Sequence, residues 1–364
     1  MALQCGIVGL PNVGKSTLFN ALTKAGVPAE NYPFNTIDPH LGLVELPDIR
    51  LLNLSKIYNP KKITPSFVEF IDIAGLVKGA HKGEGLGNQF LGQIRQTSVI
   101  IHVVRCFDDK NITHVNGGTN PIRDMEIINT ELLLADIDML EKRKTKMIKT
   151  VKSKDKDALK LLKLIEYLSD KISNGLPANA IKVEDGLYPL KNALQLLTDK
   201  PVLYIANISE NDILNKNQNA HLSSLEKYLN HNTVIPLCGT LEQEIAALDN
   251  NEKTLFLKEY NLFEPGLNKV IRLSFELLKL QNFFTCGEKE VRSWIVKNDA
   301  TAPEAAGKIH SDFQKGFIKA DVFQYNDIIE HKSEKILREL GLIRQEGREY
   351  TVKDGDCIFF KFNV

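Results

Sequence analysis

The segment Gly9-Leu-Pro-Asn-Val-Gly14-Lys15-Ser16 constrains this chain more than any other feature, because it joins an apolar run (residues 3–9) to a helix-like stretch (residues 16–22). The pattern Gly-x4-Gly-Lys-[Ser/Thr] between a strand and a helix curls successive backbone N–H groups around a phosphate. The helix N-terminus adds the positive end of its dipole. Lys15 is then placed to reach terminal phosphates, and the Ser16 hydroxyl to ligate Mg2+. Four further strand patterns follow at residues 67–73, 99–104, 202–208 and 233–237. The second is almost wholly β-branched and aliphatic, as a strand covered on both faces of a parallel sheet should be. An α/β fold with a mostly parallel sheet is predicted.

The 364 residues are enough for two or three domains. Lys plus Arg and Asp plus Glu both number 46, which excludes a wholly basic or wholly acidic partner logic but not a local patch. No apolar stretch approaches the ~18 residues of a membrane span, so no membrane association is expected. Gly6, Gly9, Pro11 and Lys15 interrupt the apolar start, which argues against a secretory signal. The five cysteines are widely spaced and form no Cys-x-x-Cys pair, so a reduced, cytoplasmic setting is expected.

Residues 129–197 carry little strand character. Leu133, Ile137, Leu140, Lys144, Met147 and Val151 alternate in spacings of four and three, as do Ala158, Leu161, Ile165, Leu168 and Ile172. The polar run 153–157 separates the two series. An antiparallel helical hairpin inserted into the α/β domain is predicted. Over residues 141–171 it carries eleven Lys/Arg against five Asp/Glu. Residues 282–295 read as a strand pair, 301–313 as a helix, 316–322 as a strand and 330–340 as a helix. Short strands follow near 349–352 and 357–362, which completes a small α+β module.

Asp72, in Asp72-Ile-Ala-Gly75, ends a strand where a carboxylate can hold Mg2+ through water and the Gly75 amide can touch a γ-phosphate. Thr36 stands where switch proteins place a threonine that binds the metal only in the triphosphate state. Guanine-reading proteins carry Asn-Lys-x-Asp after a later strand; here the segment is Asn207-Ile208-Ser209-Glu210. Its extra methylene and missing lysine remove charge-assisted contacts worth ~1.5–3 kcal/mol each, so base preference should relax or reverse. Leu76 occupies the position of the glutamine that orients the attacking water, which predicts slow intrinsic turnover. His114, on the loop beyond residues 99–104, is the candidate catalytic helper, with His81 a weaker one. His102, inside the apolar strand, reads as a core residue.

The phosphate loop, Asp72-Ile-Ala-Gly-Leu-Val-Lys-Gly-Ala80 and Asn207-x-x-Glu210 together closely resemble the Obg-like ATPase (YchF) family of P-loop NTPases. Residues 300–310 and the ending Asp354-Gly-Asp-Cys-Ile-Phe-Phe-Lys-Phe-Asn-Val364 resemble that family's TGS module, a β-grasp domain. The resemblance runs end to end. It implies a G-protein-like P-loop NTPase fold divided into a nucleotide-binding domain (1–128 and 198–280), an inserted arm (129–197) and a TGS domain (281–364). It implies ATP preferred over GTP, Mg2+ dependence and association with ribosomes. Asn12, Val13, Gly14, Lys15, Ser16, Thr17 and Gly75 are then phosphate-binding, with Ser16, Thr36 and Asp72 (via water) on the metal. Ile208 would lie against the adenine with Asn207 beside it and Glu210 nearby. Asn12 matches an asparagine that related NTPases use to hold K+.

The expectation is therefore a cytoplasmic, monomeric regulatory ATPase whose basic arm meets the ribosome, its subunits or rRNA. The alternative is a guanine-nucleotide-dependent ribosome-assembly GTPase. A metabolic P-loop kinase would need an arginine-bearing lid and an acceptor pocket, and the switch-like Thr36 loop and the appended TGS-like module argue against it. In a purely RNA-binding module Lys15 would have no catalytic role.

Overall fold

The computed structural model describes residues 3–24, 40–73, 86–115, 117–150, 156–215, 219–229 and 234–363. The chain divides into two units. Met1–Val44 and Glu69–Lys269 form the first, and Glu45–Val68 and Val270–Val364 form the second. The sequence boundaries near 128 and 281 did not anticipate that residues 45–68 join the C-terminal unit.

The strands are β1 (Leu3–Val8), β2 (Leu41–Glu45), β3 (Lys62–Thr64), β4 (Phe67–Asp72), β5 (Val99–Arg105), β6 (Val202–Asn207) and β7 (Val234–Leu237), then β8 (Leu280–Thr285), β9 (Glu290–Lys297), β10 (Phe317–Gln324), β11 (Arg344–Glu346) and β12 (Asp356–Phe362). One sheet has the order β2-β4-β1-β5-β6-β7. β1, β5, β6 and β7 run parallel, with Ile7 opposite Ile101, Ile101 opposite Leu203 and Ile205 opposite Ile235. All seven residues of β5 are buried, as a strand aliphatic at five of its seven positions should be inside a parallel sheet. His102 is a core residue, 2% exposed, its ring tilted against Tyr204 on the neighbouring strand.

The predicted arm is present as helices Pro121–Thr150 and Lys156–Ser173. The first begins eight residues before the expected boundary of 129, since Pro121 is favoured in a first turn. Leu140, Ile165, Leu168 and Ile172 form its buried seam, joined by Leu133, Ile137, Met147 and Leu161. Lys144, although on the same heptad register, reaches Glu166 of the facing helix at 3.0 Å. Asp136 fastens the base of the arm. Fully buried, it accepts from the backbone N–H groups of Leu197 and Thr198 at 2.8 Å each and from the Thr198 hydroxyl at 2.7 Å.

The C-terminal unit holds a mixed sheet of order β11-β10-β12-β8-β9-β3. β8 and β9 are antiparallel, β12 runs parallel to β8, and β3 runs parallel to β9 at the edge. Helix Ala302–Ile309 puts Ala302, Ala305 and Ala306 against Phe283, Phe317 and Phe360. Helix Ile49–Tyr58 packs Leu51 and Leu54 with Phe284, Val291 and Phe323. The strand expected near 349–352 is only an isolated bridge between Thr351 and Thr301. None of the described helices is long and apolar enough to cross a membrane.

Burial carries the His102 imidazole from its usual 6.5 down to about 3, with the Lys15 charge acting in the same direction. The unfolded chain therefore binds a proton at this position between those values and the folded chain does not. Stability is fully present above pH 6.5 and is lost as pH falls towards 3. In His102→Leu the acid limb of urea-unfolding free energy should flatten by up to about 1.4 kcal/mol per pH unit in that window. An unchanged limb would show that His102 is protonated in the fold.

Candidate functional site: a phosphate cradle at the carboxyl edge of the parallel sheet

β1 delivers the chain to Gly9, where a Cβ would lie 2.5 Å from the Val103 carbonyl oxygen of β5. Only glycine permits that approach. The loop then turns through Asn12 (φ 62°) and Gly14 (φ +96°), both in the left-handed region, before helix Lys15–Lys24 begins. The first turn of this helix holds no acidic residue, so its N–H groups face no local carboxylate of their own. The Lys15 ammonium is buried and donates to the Leu10 carbonyl at 2.8 Å, folded back over the loop. Burial lowers it to about 8, although the Asp72 carboxylate opposes that shift. A phosphate in the cradle would supply the anion that this buried cation lacks.

Ser16 and Asp72, both expected at the metal, lie side by side. The Ser16 hydroxyl donates to Asp72 Oδ2 at 3.3 Å, while Asp72 Oδ1 is buried with no hydrogen-bond partner among the described residues. Burial raises the Asp72 carboxyl, opposed by Lys15, by the Ser16 hydrogen bond and by His40. A hydroxyl beside a carboxylate with an unsatisfied oxygen is a hard donor set that fits Mg2+, which takes few protein ligands and completes its shell with water and phosphate. Thr36 and Gly75, like Leu76 and His81, lie outside the described residues.

Asn207, at the end of β6, is engaged by backbone groups on two sides. Its side chain donates to the Val13 carbonyl at 2.9 Å and accepts from the Gly239 N–H at 3.0 Å, and it is 6% exposed. A Cβ on Gly14 would approach Asn207 Nδ2 to 2.2 Å, and Thr17 Cγ2 lies 3.6 Å from the corresponding position on Gly239. Asn207 therefore clamps the phosphate loop to the turn after β7. The expected packing of Ile208 against an adenine is corrected. Ile208 is 1% exposed, buried with Val104, Met125, Ile213 and Leu241, and so offers no side-chain face to a ligand. Glu210 is exposed at the start of helix Glu210–Leu214, where its carboxylate accepts from the Tyr260 hydroxyl.

His114, the expected catalytic helper, is held by a carboxylate. Its Nε2 is bonded to Asp124 at 2.8 Å, and the two side chains are 6% and 3% exposed. Arg123 holds the other Asp124 oxygen at 3.0 Å, so the imidazole belongs to a buried network. Its loop still serves the site, because Asn12 Nδ2 donates to the Thr113 carbonyl at 3.1 Å. Arg105, missed in the sequence, organises that loop. Its guanidinium donates to the carbonyls of Phe107, Asp109 and Ile112 and lies over the Phe107 ring. An arginine closing a strand buried on both faces was the available signal, since a buried guanidinium needs several acceptors.

Gly14→Ala should cost about 1–3 kcal/mol of stability from backbone strain alone. It should also weaken nucleotide binding by at least ~100-fold in calorimetry, because the Asn207 clamp must open. Near-wild-type affinity would show that the Gly14–Asn207 contact is incidental.

Comparison with known proteins places this geometry. Residues 4–135 match a family model described as a 50S ribosome-binding GTPase, and residues 280–363 match the model for the C-terminal region of YchF GTPases, described as a protein of unknown function. The chain is 49% identical to the ribosome-binding ATPase YchF of Bacillus subtilis (strain 168) over 366 residues. It is 50% identical to that of Escherichia coli O157:H7 over 366 residues. Both alignments cover 100% of each chain. The solved structure of the Schizosaccharomyces pombe YchF GTPase superposes with a TM-score of 0.88 at 39% identity, covering 99% of this chain and 97% of that one. With the phosphate loop, the inserted arm and the C-terminal sheet all matched along the whole length, the chain belongs to the YchF family of P-loop NTPases.

Proposed function

We propose that this protein is an ATP-hydrolysing switch that acts on the ribosome and prefers ATP to GTP. The hydrolase assignment rests on the phosphate cradle together with relatives named as ATPases at 49% and 50% identity over the full length. The same names support a ribosomal partner. The base preference rests on one observation. Where a guanine reader needs a lysine stem over the ring and a free carboxylate on its edge, Ile208 turns into the core and Glu210 is engaged by Tyr260. The guanine-dependent alternative draws support from the GTPase family model, but that match ends at residue 135, well before the base-reading segment.

Within this reading Lys15 and the N–H groups of residues 12–17 bind and orient the β- and γ-phosphates. Ser16 and Asp72 hold Mg2+, joined by Thr36 in the triphosphate state. The metal, when bound, neutralises charge that builds on the phosphate oxygens. Leu76 offers neither donor nor acceptor to the attacking water, and His114 is engaged elsewhere, so turnover is slow until a partner or ion completes the site. Asn12, tied to Thr113, is the K+ ligand of this reading. Faster turnover in potassium than in sodium would support that role, and equal rates would remove it. The C-terminal sheet serves as a TGS-type docking module, and the protein works as a cytoplasmic monomer.

Calorimetric titration should give Mg·ATP at least ~10-fold tighter than Mg·GTP, as expected from the loss of one or two charge-assisted contacts to guanine. Equal or tighter GTP binding would overturn the ATP reading. Lys15→Ala should lower single-turnover hydrolysis by at least ~100-fold, the scale of removing one cation from a developing phosphoryl charge.

A further inference from the structure

We infer that the cleft between helix Leu86–Gln96 and the first arm helix is a phosphodiester-binding site for RNA. The inference rests on the ribosomal reading above and assigns it a place on the molecule. The cleft has a volume of about 420 Å³ and is floored by Leu91, Ala135 and Met139. Its rim carries Arg95 from one wall and Lys142, Arg143 and Lys146 from the other. Asp138 is the only carboxylate among its described lining residues, and it accepts from Lys142 at 2.6 Å.

This concentration follows from helix geometry. Residues 138, 139, 142, 143 and 146 recur at intervals of one, three, one and three, so they share one face of helix Pro121–Thr150. Lys144, which lies off that face, has its charge paired with Glu166 on the facing arm helix. The arm thus turns one cation to a carboxylate of its partner helix and places Lys142, Arg143 and Lys146 along the cleft. Arg95 adds an exposed guanidinium from a different element, a planar fork suited to phosphate oxygens. Four cations against one carboxylate, converging from two walls on an apolar floor, form an anion receptor. A nucleic-acid backbone with its sugars fills such a volume better than a lone ion, and the net charge of the whole chain is zero, so the attraction is local.

The test uses the full-length chain, a fluorescein-labelled 20-nucleotide single-stranded RNA followed by anisotropy between 50 and 300 mM KCl, and 70S ribosomes followed by co-sedimentation. Each neutralised phosphate contributes roughly 0.7 to the slope of log K against log salt. Arg95→Gln with Arg143→Gln should lower that slope by about 1.4 and ribosome retention by ~10-fold. The charge-keeping pair Arg95→Lys with Arg143→Lys should restore the slope. Lys160→Gln with Lys163→Gln, on the other arm helix, should leave it in place. ATP affinity should remain that of the wild type in all three. A slope that falls only with the Lys160 and Lys163 pair would overturn the cleft while leaving an RNA-binding arm. Ribosome retention with an unchanged slope in every variant would overturn RNA as the occupant and point to a protein partner. Absence of ribosome retention by the wild type would overturn the ribosomal reading and the cleft with it.

Discussion

The side chain of Asn207, held between the Val13 carbonyl and the Gly239 N–H, is the contact on which the rest of the nucleotide site depends. A primary amide has a donor and an acceptor pointing apart, so one residue can join two backbone segments that otherwise share nothing. The phosphate loop gains a fixed wall, and Gly14 must lack a side chain because the amide occupies that space. The strand ends on either side contribute in the same manner. β5 sends Arg105 into the following loop, and Thr113 of that loop receives the Asn12 side chain. The cradle is thus tied to β5 and β6 at the carboxyl edge of a parallel sheet, where such folds place their ligands.

That construction separates the support of the phosphate loop from the residues that follow Asn207. Asn207 serves the loop, and the residues after it are free to differ. Ile208 takes the core-facing position, where 1% exposure leaves it no contact with solvent. Ser209 caps the next short helix through Asp212, which fixes where Glu210 begins that helix. Tyr260 then gives the carboxylate a hydroxyl partner. Support of the phosphate loop and packing of the next helix are carried by neighbouring residues with separate duties.

The elements legible in the sequence were those whose signal is local. β5 was readable because burial on both faces demands a mostly aliphatic run, and the arm because its heptads repeat within each helix. Ser16 and Asp72 lie together because a phosphate loop and a strand-ending aspartate fix each other's place. The failures lay in packing and in partners that leave no pattern in the sequence. β3 has three residues and pairs with β9, more than two hundred positions away, so no periodicity assigned residues 45–68 to the C-terminal unit. Ile208 is apolar in either role, and only the packing around it shows the side chain turned inward. His114 was suggestive by position, but the Asp124 ten residues on, which decides its role, belongs to the following helix. Arg105 makes its partners within seven residues, yet their carbonyls are anonymous in a sequence.

The most direct test of this account is the affinity of Asn207→Asp for ADP and for Mg·ATP, measured by calorimetry beside the wild type. A carboxylate can still accept from Gly239 but meets the Val13 carbonyl without a proton to donate. The account predicts that both affinities fall together by ~10–100-fold, while the fold melts as a cooperative unit. Affinities within about twofold of the wild type, or a loss confined to one nucleotide, would contradict it.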